Sequence, residues 1–204
     1  MRLVLASGSP RRREILTALE IAFEVRPTGA DETPRAGESA LDLAIRVARA
    51  KCAAAMSESE VGGAVEVEGE GDVETAFLAA DTVVDVDGAP LNKPDGDDDA
   101  RRMLRLLSGR THLVHTAIAL GVRGEVHVRS VSSEVVFRSL DPAVIDRYVA
   151  SGEGRDKAGA YAVQGMGAGL VLAVNGSPSN VIGLPAAQTV ALLVDAGVLP
   201  RWPT

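Results

Sequence analysis

The first thirteen residues constrain this chain more tightly than any other segment. Leu3-Val4-Leu5-Ala6 is a short apolar run that suits a buried strand. Ser7-Gly8-Ser9-Pro10 breaks the run, with Ser9 placed as a helix N-cap and Pro10 at the first helical position. Arg11, Arg12 and Arg13 then fill the first turn of the helix. A helix N-terminus carries partial positive charge and unpaired N–H groups, so three cations there have the wrong sign for stability. A bound polyanion reverses that cost, because phosphate takes both the helix-end amides and the guanidinium forks. Ser7 and Ser9 add hydroxyls, and Gly8 lets the backbone approach closely. The plainer alternative is three solvated arginines.

The rest of the chain alternates between strand and helix patterns. The first helix is expected to run to about Glu20, followed by a strand from Ala22 to Arg26 and a loop from Pro27 to Gly37. Ser39 is placed to cap a helix reaching about Met56, with Leu41, Ala44, Ile45, Ala48, Cys52 and Ala55 at helical spacing. Ser57 to Glu74 is rich in Glu, Gly and Val and reads as a mobile acidic excursion or a poor hairpin. Phe77 to Ala80 and Val83 to Val86 read as strand, with Asp87-Gly88 as a hairpin turn. A helix follows from Asp97 to Gly109, acidic at its start. Thr111 to Val122 and Val126 to Phe137 look like paired strands joined through Gly121 to Glu125. Asp141 and Pro142 open another helix, Gly152 to Gly169 is a glycine-punctuated loop, Leu170 to Val174 a strand, and Pro185 to Ala196 the last helix. Hairpins and crossovers together predict a mixed-sheet α/β (α+β) domain, 204 residues in one unit.

Composition removes several function classes. The net charge of −7 argues against a nucleic-acid clamp, which shows a basic footprint, and aromatic residues at 3% give no stacking platform. It leaves room for an anionic small molecule, since local charge can oppose the global sign. No apolar run approaches the roughly 20 residues a membrane helix needs, and Leu3 to Ala6 is too short for a signal-peptide core. The single cysteine, Cys52, reads as a small buried hydrophobe and fits a reducing cytoplasm.

Other motifs narrow the chemistry. No G-x-x-x-x-G-K-[ST] phosphate loop is present, and Gly165-Met166-Gly167-Ala168-Gly169 precedes a strand where a dinucleotide fingerprint needs a helix. Asp81 lies between apolar runs, so it is either buried with partners, exposed at a strand end facing a cleft, or an ordinary turn aspartate. Asp31-Glu32 is a source of a second carboxylate or simply polar loop, and hard cations such as magnesium need only a few carboxylates plus substrate phosphates. Lys51, Lys93 and Lys157 read as surface lysines or as partners for phosphate charge. The acids from Asp95 to Asp99 fail the EF-hand spacing. His112 and His115 face opposite sides of a strand, so they share no metal. No nucleophilic Ser or Cys constellation is apparent.

An ordered set of motifs nevertheless resembles one family. Leu5-Ala6-Ser7-Gly8-Ser9-Pro10-Arg11-Arg12, Asp31-Glu32, Lys51, Ala80-Asp81-Thr82-Val83-Val84, Asn92-Lys93-Pro94, Leu107-Ser108-Gly109-Arg110, Asp156 to Gly165 and Val181-Ile182-Gly183-Leu184-Pro185 together are similar to the signature of the Maf family. The set spans nearly the whole chain. The resemblance implies an inosine-triphosphatase-like fold, an elongated mixed sheet with flanking helices and a cleft between two lobes. It implies a cytoplasmic hydrolase that cuts a nucleoside triphosphate to its monophosphate and pyrophosphate with a divalent metal (Mg, Mn or Co), and a possible homodimer. Asp81 matches the position of the general base; Ser7, Arg11, Arg12, Glu32, Lys51, Lys93 and Gln164 match positions lining the substrate site. Arg11, Thr82 and Gln164 match the dTTP- and UTP-preferring subgroup rather than the 7-methyl-GTP-selective one.

Two departures stand out: Asn92 replaces the family's usual glycine before Lys93, and the stretch from Ser57 to Glu74 is longer than usual. The expected chemistry is attack of water on the α-phosphorus, with Asp81 and Glu32 holding the metal and Arg12, Lys51 and Lys93 holding the departing pyrophosphate. A competing expectation is a nucleotide-binding regulator of septum formation without turnover, which would need the arginines but not Asp81.

Overall fold

A computed structural model describes residues 1–61 and 74–203. In chain order the elements are β1 (Arg2–Leu5), α1 (Pro10–Ala18), β2 (Glu24–Val25), α2 (Ala40–Val61), β3 (Thr75–Val86), β4 (Ala89–Leu91), α3 (Gly96–Leu107), β5 (Thr111–Val122), β6 (Glu125–Phe137), α4 (Pro142–Ser151), β7 (Val171–Asn175), α5 (Pro178–Ile182) and α6 (Ala186–Asp195). One seven-stranded sheet runs β2-β1-β3-β5-β6-β7, with β4 also on β3. Its β1–β2 and β1–β3 pairs are parallel, and the others are antiparallel. This is the mixed α/β sheet with flanking helices that the alternating pattern predicts.

The register of β3 creates the opening of a cleft. β5 follows one edge of β3 from Phe77 to Asp85. On the other edge, β1 pairs only as far as Leu78, with a last bond from Ala6 N to Leu78 O at 2.8 Å, and β4 begins at Val84. The stretch between therefore has neither β1 nor β4 beside it, and Asp81 and Thr82 lie in that gap. Ligands in sheets of this kind gather beyond the carboxyl ends of parallel strands, and the end of β1 leads straight into α1.

Three apolar clusters hold the sheet. Val4, Phe77, Ala79, Ala117 and Ala119 pack under Leu43, Val47 and Cys52 of α2. Leu5, Leu78, Ile118 and Leu120 on the opposite face pack under Leu16 of α1 and Leu192 and Leu193 of α6. Beyond the gap, Val84, Val114 and Phe137 join Met103 and Leu107 of α3 and Ile145 and Tyr148 of α4. Alternation along β3 feeds odd positions to one face and even positions to the other, as a two-sided buried strand requires.

Several local expectations need correction. α2 continues through Ser57 to Val61, where the sequence suggests an excursion; the rest of that stretch, 62–73, lies outside the described residues. Gly121 is not a connector but a β5 residue beneath α2, where a Cβ would overlap Met56 Sδ. The turn is Arg123-Gly124, both at positive φ. α5, with Ser177 Oγ accepting from Asn180 N, has no counterpart in the sequence reading because five residues carry no periodicity. Among the described residues no helix is long and apolar enough to cross a membrane.

Candidate active site

The loop after β1 folds over the gap in the sheet and places α1 end-on to it. Ser9 occupies the N-cap position, but its side chain makes no cap bond, and the first turn holds no acid. Ser7 Oγ accepts instead, from Ser9 N at 3.3 Å and from Arg12 Nη1 at 3.0 Å. The three arginines diverge. Arg13 is exposed, whereas Arg11 and Arg12 line a cleft of about 490 Å³. Arg12 is buried, and that burial lowers its pKa from the ordinary guanidinium value, against the opposing pull of Asp81 and Glu32. Its Nε donates to Gly183 O at 2.8 Å and its Nη2 to Thr82 Oγ1 at 3.3 Å.

Asp81 sits on the floor of the cleft in an ion-pair chain. Lys51 of α2 donates to Asp81 Oδ1 at 2.8 Å and reaches Glu32 Oε1 at 2.6 Å. Lys93 stands 3.5 Å from Glu32 Oε2. Burial raises the pKa of Asp81 above the usual carboxylate value; Lys51 and Arg12 oppose it without cancelling it. Burial also acts upward on Glu32, but its bonds to Lys51 and Lys93 win, and its pKa falls. Glu32 lines the cleft, while Asp31 turns away and accepts from Thr33 N at 2.9 Å.

Thr82, on the other face of β3, belongs to a buried polar row. Thr116 Oγ1 donates to Asn180 O at 2.9 Å, so in the 3.0 Å contact between the two threonines Thr82 is the donor. With Arg12 donating to it as well, the Thr82 hydroxyl spends its proton and one lone pair inside the protein.

The far wall is built from the segment after α4. Arg11 Nη2 lies 3.9 Å from Asp156 Oδ2, and Lys157 bonds Asp156 at 2.6 Å. Gln164 stands on an exposed turn at the same wall. Ser7, Arg11, Arg12, Glu32, Lys51, Asp81, Thr82, Lys93 and Gln164 thus all line one cleft, and Lys157 joins them. Five cations face three carboxylates there, so the cleft is net positive in a chain of net charge −7. A polyanion fits that sign.

Other side chains fall elsewhere. Cys52 is buried under β3, as expected of a small hydrophobe. His112 bonds the Tyr161 hydroxyl at 2.7 Å inside an aromatic cluster, where burial lowers its pKa to about 4. His115 faces the opposite side, between Ser132 Oγ at 2.7 Å and Asp85 Oδ2 at 3.2 Å. The sequence gives no sign of this Ser132–His115–Asp85 row, because only cross-strand register creates it. The row lies outside the cleft lining and reads as a cross-strand polar ladder. Sequence reasoning also missed Glu153 and Tyr148, which face the back of the Gln164 turn; their only signal is proximity to the Asp156 to Gly165 motif.

Fold and cleft together define a mixed-sheet α/β protein with a cationic cleft around a buried aspartate. The chain belongs to the Maf family: the Maf-like protein model matches residues 2–196. A dTTP/UTP pyrophosphatase of Anaeromyxobacter dehalogenans is 48% identical over 208 residues, covering 98% of this chain and 97% of that one. Proteins of the same name from Myxococcus xanthus and Alcanivorax borkumensis are 46% and 43% identical, covering 98% and 99% of this chain and 95% and 98% of theirs. Among solved structures, the Staphylococcus aureus Ham1 protein aligns with a TM-score of 0.43 at 13% identity, over 67% of this chain and 72% of that one, which is too distant to carry the assignment.

Proposed function

We propose that this protein hydrolyses dTTP and UTP to the monophosphate and pyrophosphate. The carrying observation is that Asp81 and the uncapped, arginine-bearing end of α1 face one net-positive cleft. Relatives of 43–49% identity named dTTP/UTP pyrophosphatase support the reading. The triphosphate lies against the helix end, Ser7 and Arg11, with Lys51, Lys93 and Lys157 balancing its charge.

The donor set suits a hard divalent cation: Glu32 and Asp81 converge on the single ammonium of Lys51, so two carboxylates already share one cation. The remaining ligands of such an ion would come from water and the substrate phosphates. Bound by Asp81 and Glu32, such an ion would neutralise phosphate charge.

Before the ion binds, burial makes Asp81 a stronger base than an ordinary carboxylate and Lys51 keeps it oriented; an ion on Asp81 would oppose the first effect and leave the second. It takes the proton of the water that attacks the α-phosphorus. The bond to the α,β-bridging oxygen breaks, and pyrophosphate leaves with the electron pair. The reading requires no second copy, since all these side chains come from one chain. Pyrophosphate release from a panel of nucleotides with Mg, Mn or Co tests it. Asp81→Asn should abolish turnover and leave dTTP binding measurable, and full activity of that variant would overturn the assignment.

A further inference from the structure

α4 ends in a device that serves the cleft without lining it. Gly152 terminates the helix at φ 73°, and Glu153 follows. Its carboxylate accepts from Met166 N through Oε2 and from Gly167 N through Oε1, both at 2.9 Å. Tyr148 of α4, 2% exposed, donates to Glu153 Oε1 at 3.0 Å and accepts from Ala162 N at 3.0 Å. The pair therefore grips the turn at both ends, at Ala162 and at Met166-Gly167, with Gln164 between them. Successive backbone amides closing on an anion form a nest, here filled by the protein's own carboxylate.

Sequence details match that purpose. Gly165 has φ +63°, and a Cβ there would overlap Glu153 Oε2; a Cβ on Gly167 would overlap Ala162 O. Two of the three glycines that superficially resemble a dinucleotide fingerprint, Gly165 and Gly167, let the turn close on the carboxylate and on itself. Glu153 also anchors the neighbouring strand of wall, because its carbonyl accepts from Lys157 Nζ.

We propose that Glu153, with Tyr148, is a positioning residue for the Gln164 wall of the cleft. It holds the Ala162–Gly167 turn so that Gln164 meets the base, and it thereby sets nucleoside affinity and base choice without touching the phosphates. The inference rests on the pyrophosphatase reading above and on the nucleotide-preference position that the Maf resemblance gives Gln164, which lines the cleft.

Glu153→Gln is the informative variant, since it keeps shape but turns one acceptor into an NH₂ facing an amide donor. KM for dTTP should rise about tenfold or more, with kcat within about threefold of the parent. Discrimination between dTTP and other nucleotides should shrink, and inhibition by inorganic tripolyphosphate should not change. Glu153→Asp, which keeps the charge, should restore part of the affinity. Independently of turnover, hydrogen exchange at the Met166 and Gly167 amides should accelerate in Glu153→Gln. Unchanged exchange, or a fall in kcat at constant KM, overturns the proposal. If the parent protein releases no pyrophosphate from any nucleotide, the pyrophosphatase reading fails on its own. Exchange and equilibrium dTTP binding then decide the case for Glu153 separately.

Discussion

Lys51 Nζ stands between two carboxylates, 2.8 Å from Asp81 Oδ1 and 2.6 Å from Glu32 Oε1. The same ammonium therefore ties the floor of the cleft to its rim loop. It also works against burial, which pushes Asp81 upward, because a cation favours the charged carboxylate.

The first prediction follows from that opposition. Asp81 acts as a base only when ionised, so at limiting magnesium the acid limb of kcat/KM should lie above the ordinary aspartate value of 3.8. Lys51→Met removes a downward influence on the pKa of Asp81. The limb should then move to higher pH, and the plateau should fall by about a hundredfold as phosphate charge loses a partner. A pH–rate series on both proteins checks this. A limb that stays fixed or moves to lower pH would show that Lys51 does not govern Asp81.

A second prediction concerns Thr82, which resembles a specificity position but spends its hydroxyl on Arg12 and Thr116. Thr82→Val should leave Arg12 Nη2 without its acceptor, at about 1–3 kcal/mol, while Thr116 keeps its bond to Asn180 O and loses only the donor Thr82. Phosphate-tail binding should weaken, read as a roughly tenfold loss in tripolyphosphate inhibition, while the ranking of nucleotides stays the same. Thr82→Ser should behave like the parent. A changed nucleotide ranking with tripolyphosphate inhibition intact would mean that Thr82 reads the base directly.

How much of this was legible in the sequence depends on the range of each interaction. Local signals carried well: Asp87-Gly88 turns between β3 and β4, Asp141 caps α4 through Ala143 N, and Ser39 caps α2 through Asp42 N. Motif order placed nine candidate side chains that the fold gathers in one cleft, with Asp31 and Arg13 facing elsewhere. What the sequence hid is long-range. Arg12 meets Gly183 across 171 positions, and Asn180 meets Ser133 across 47, through register that no local window contains. Gly121 looked like a turn residue because glycine marks turns, yet its use is to let α2 approach β5. Glu153 carries no signal within the glycine-punctuated stretch from Gly152 to Gly169, because only the folded turn brings the amides of Met166 and Gly167 to it.

The final prediction concerns the loop that carries Glu32. Arg46 of α2 binds Glu38 with both branches, Nε to Oε1 at 2.6 Å and Nη2 to Oε2 at 2.9 Å. The same guanidinium donates to Asp31 O at 3.1 Å and Thr33 O at 2.9 Å, on either side of Glu32. The pKa of Glu38 falls from 4.5 to about 2, chiefly through the Arg46 hydrogen bond, with the Arg35 amide, 3.0 Å from Oε2, adding to it. A depressed carboxylate contributes stability that is present above the unfolded pKa and is lost as pH falls through the folded one. Glu38→Gln should therefore melt below the parent at pH 6, and the gap should close as pH drops from about 4.5 toward about 2. Loosening this strap also frees Glu32, so the magnesium needed for half-maximal rate should rise about three- to tenfold with kcat nearly unchanged. Melting curves across pH and magnesium titrations of both proteins check the two halves. A melting gap that persists at pH 2 would assign the loss to packing instead of charge, and an unchanged magnesium requirement would separate the strap from the cleft.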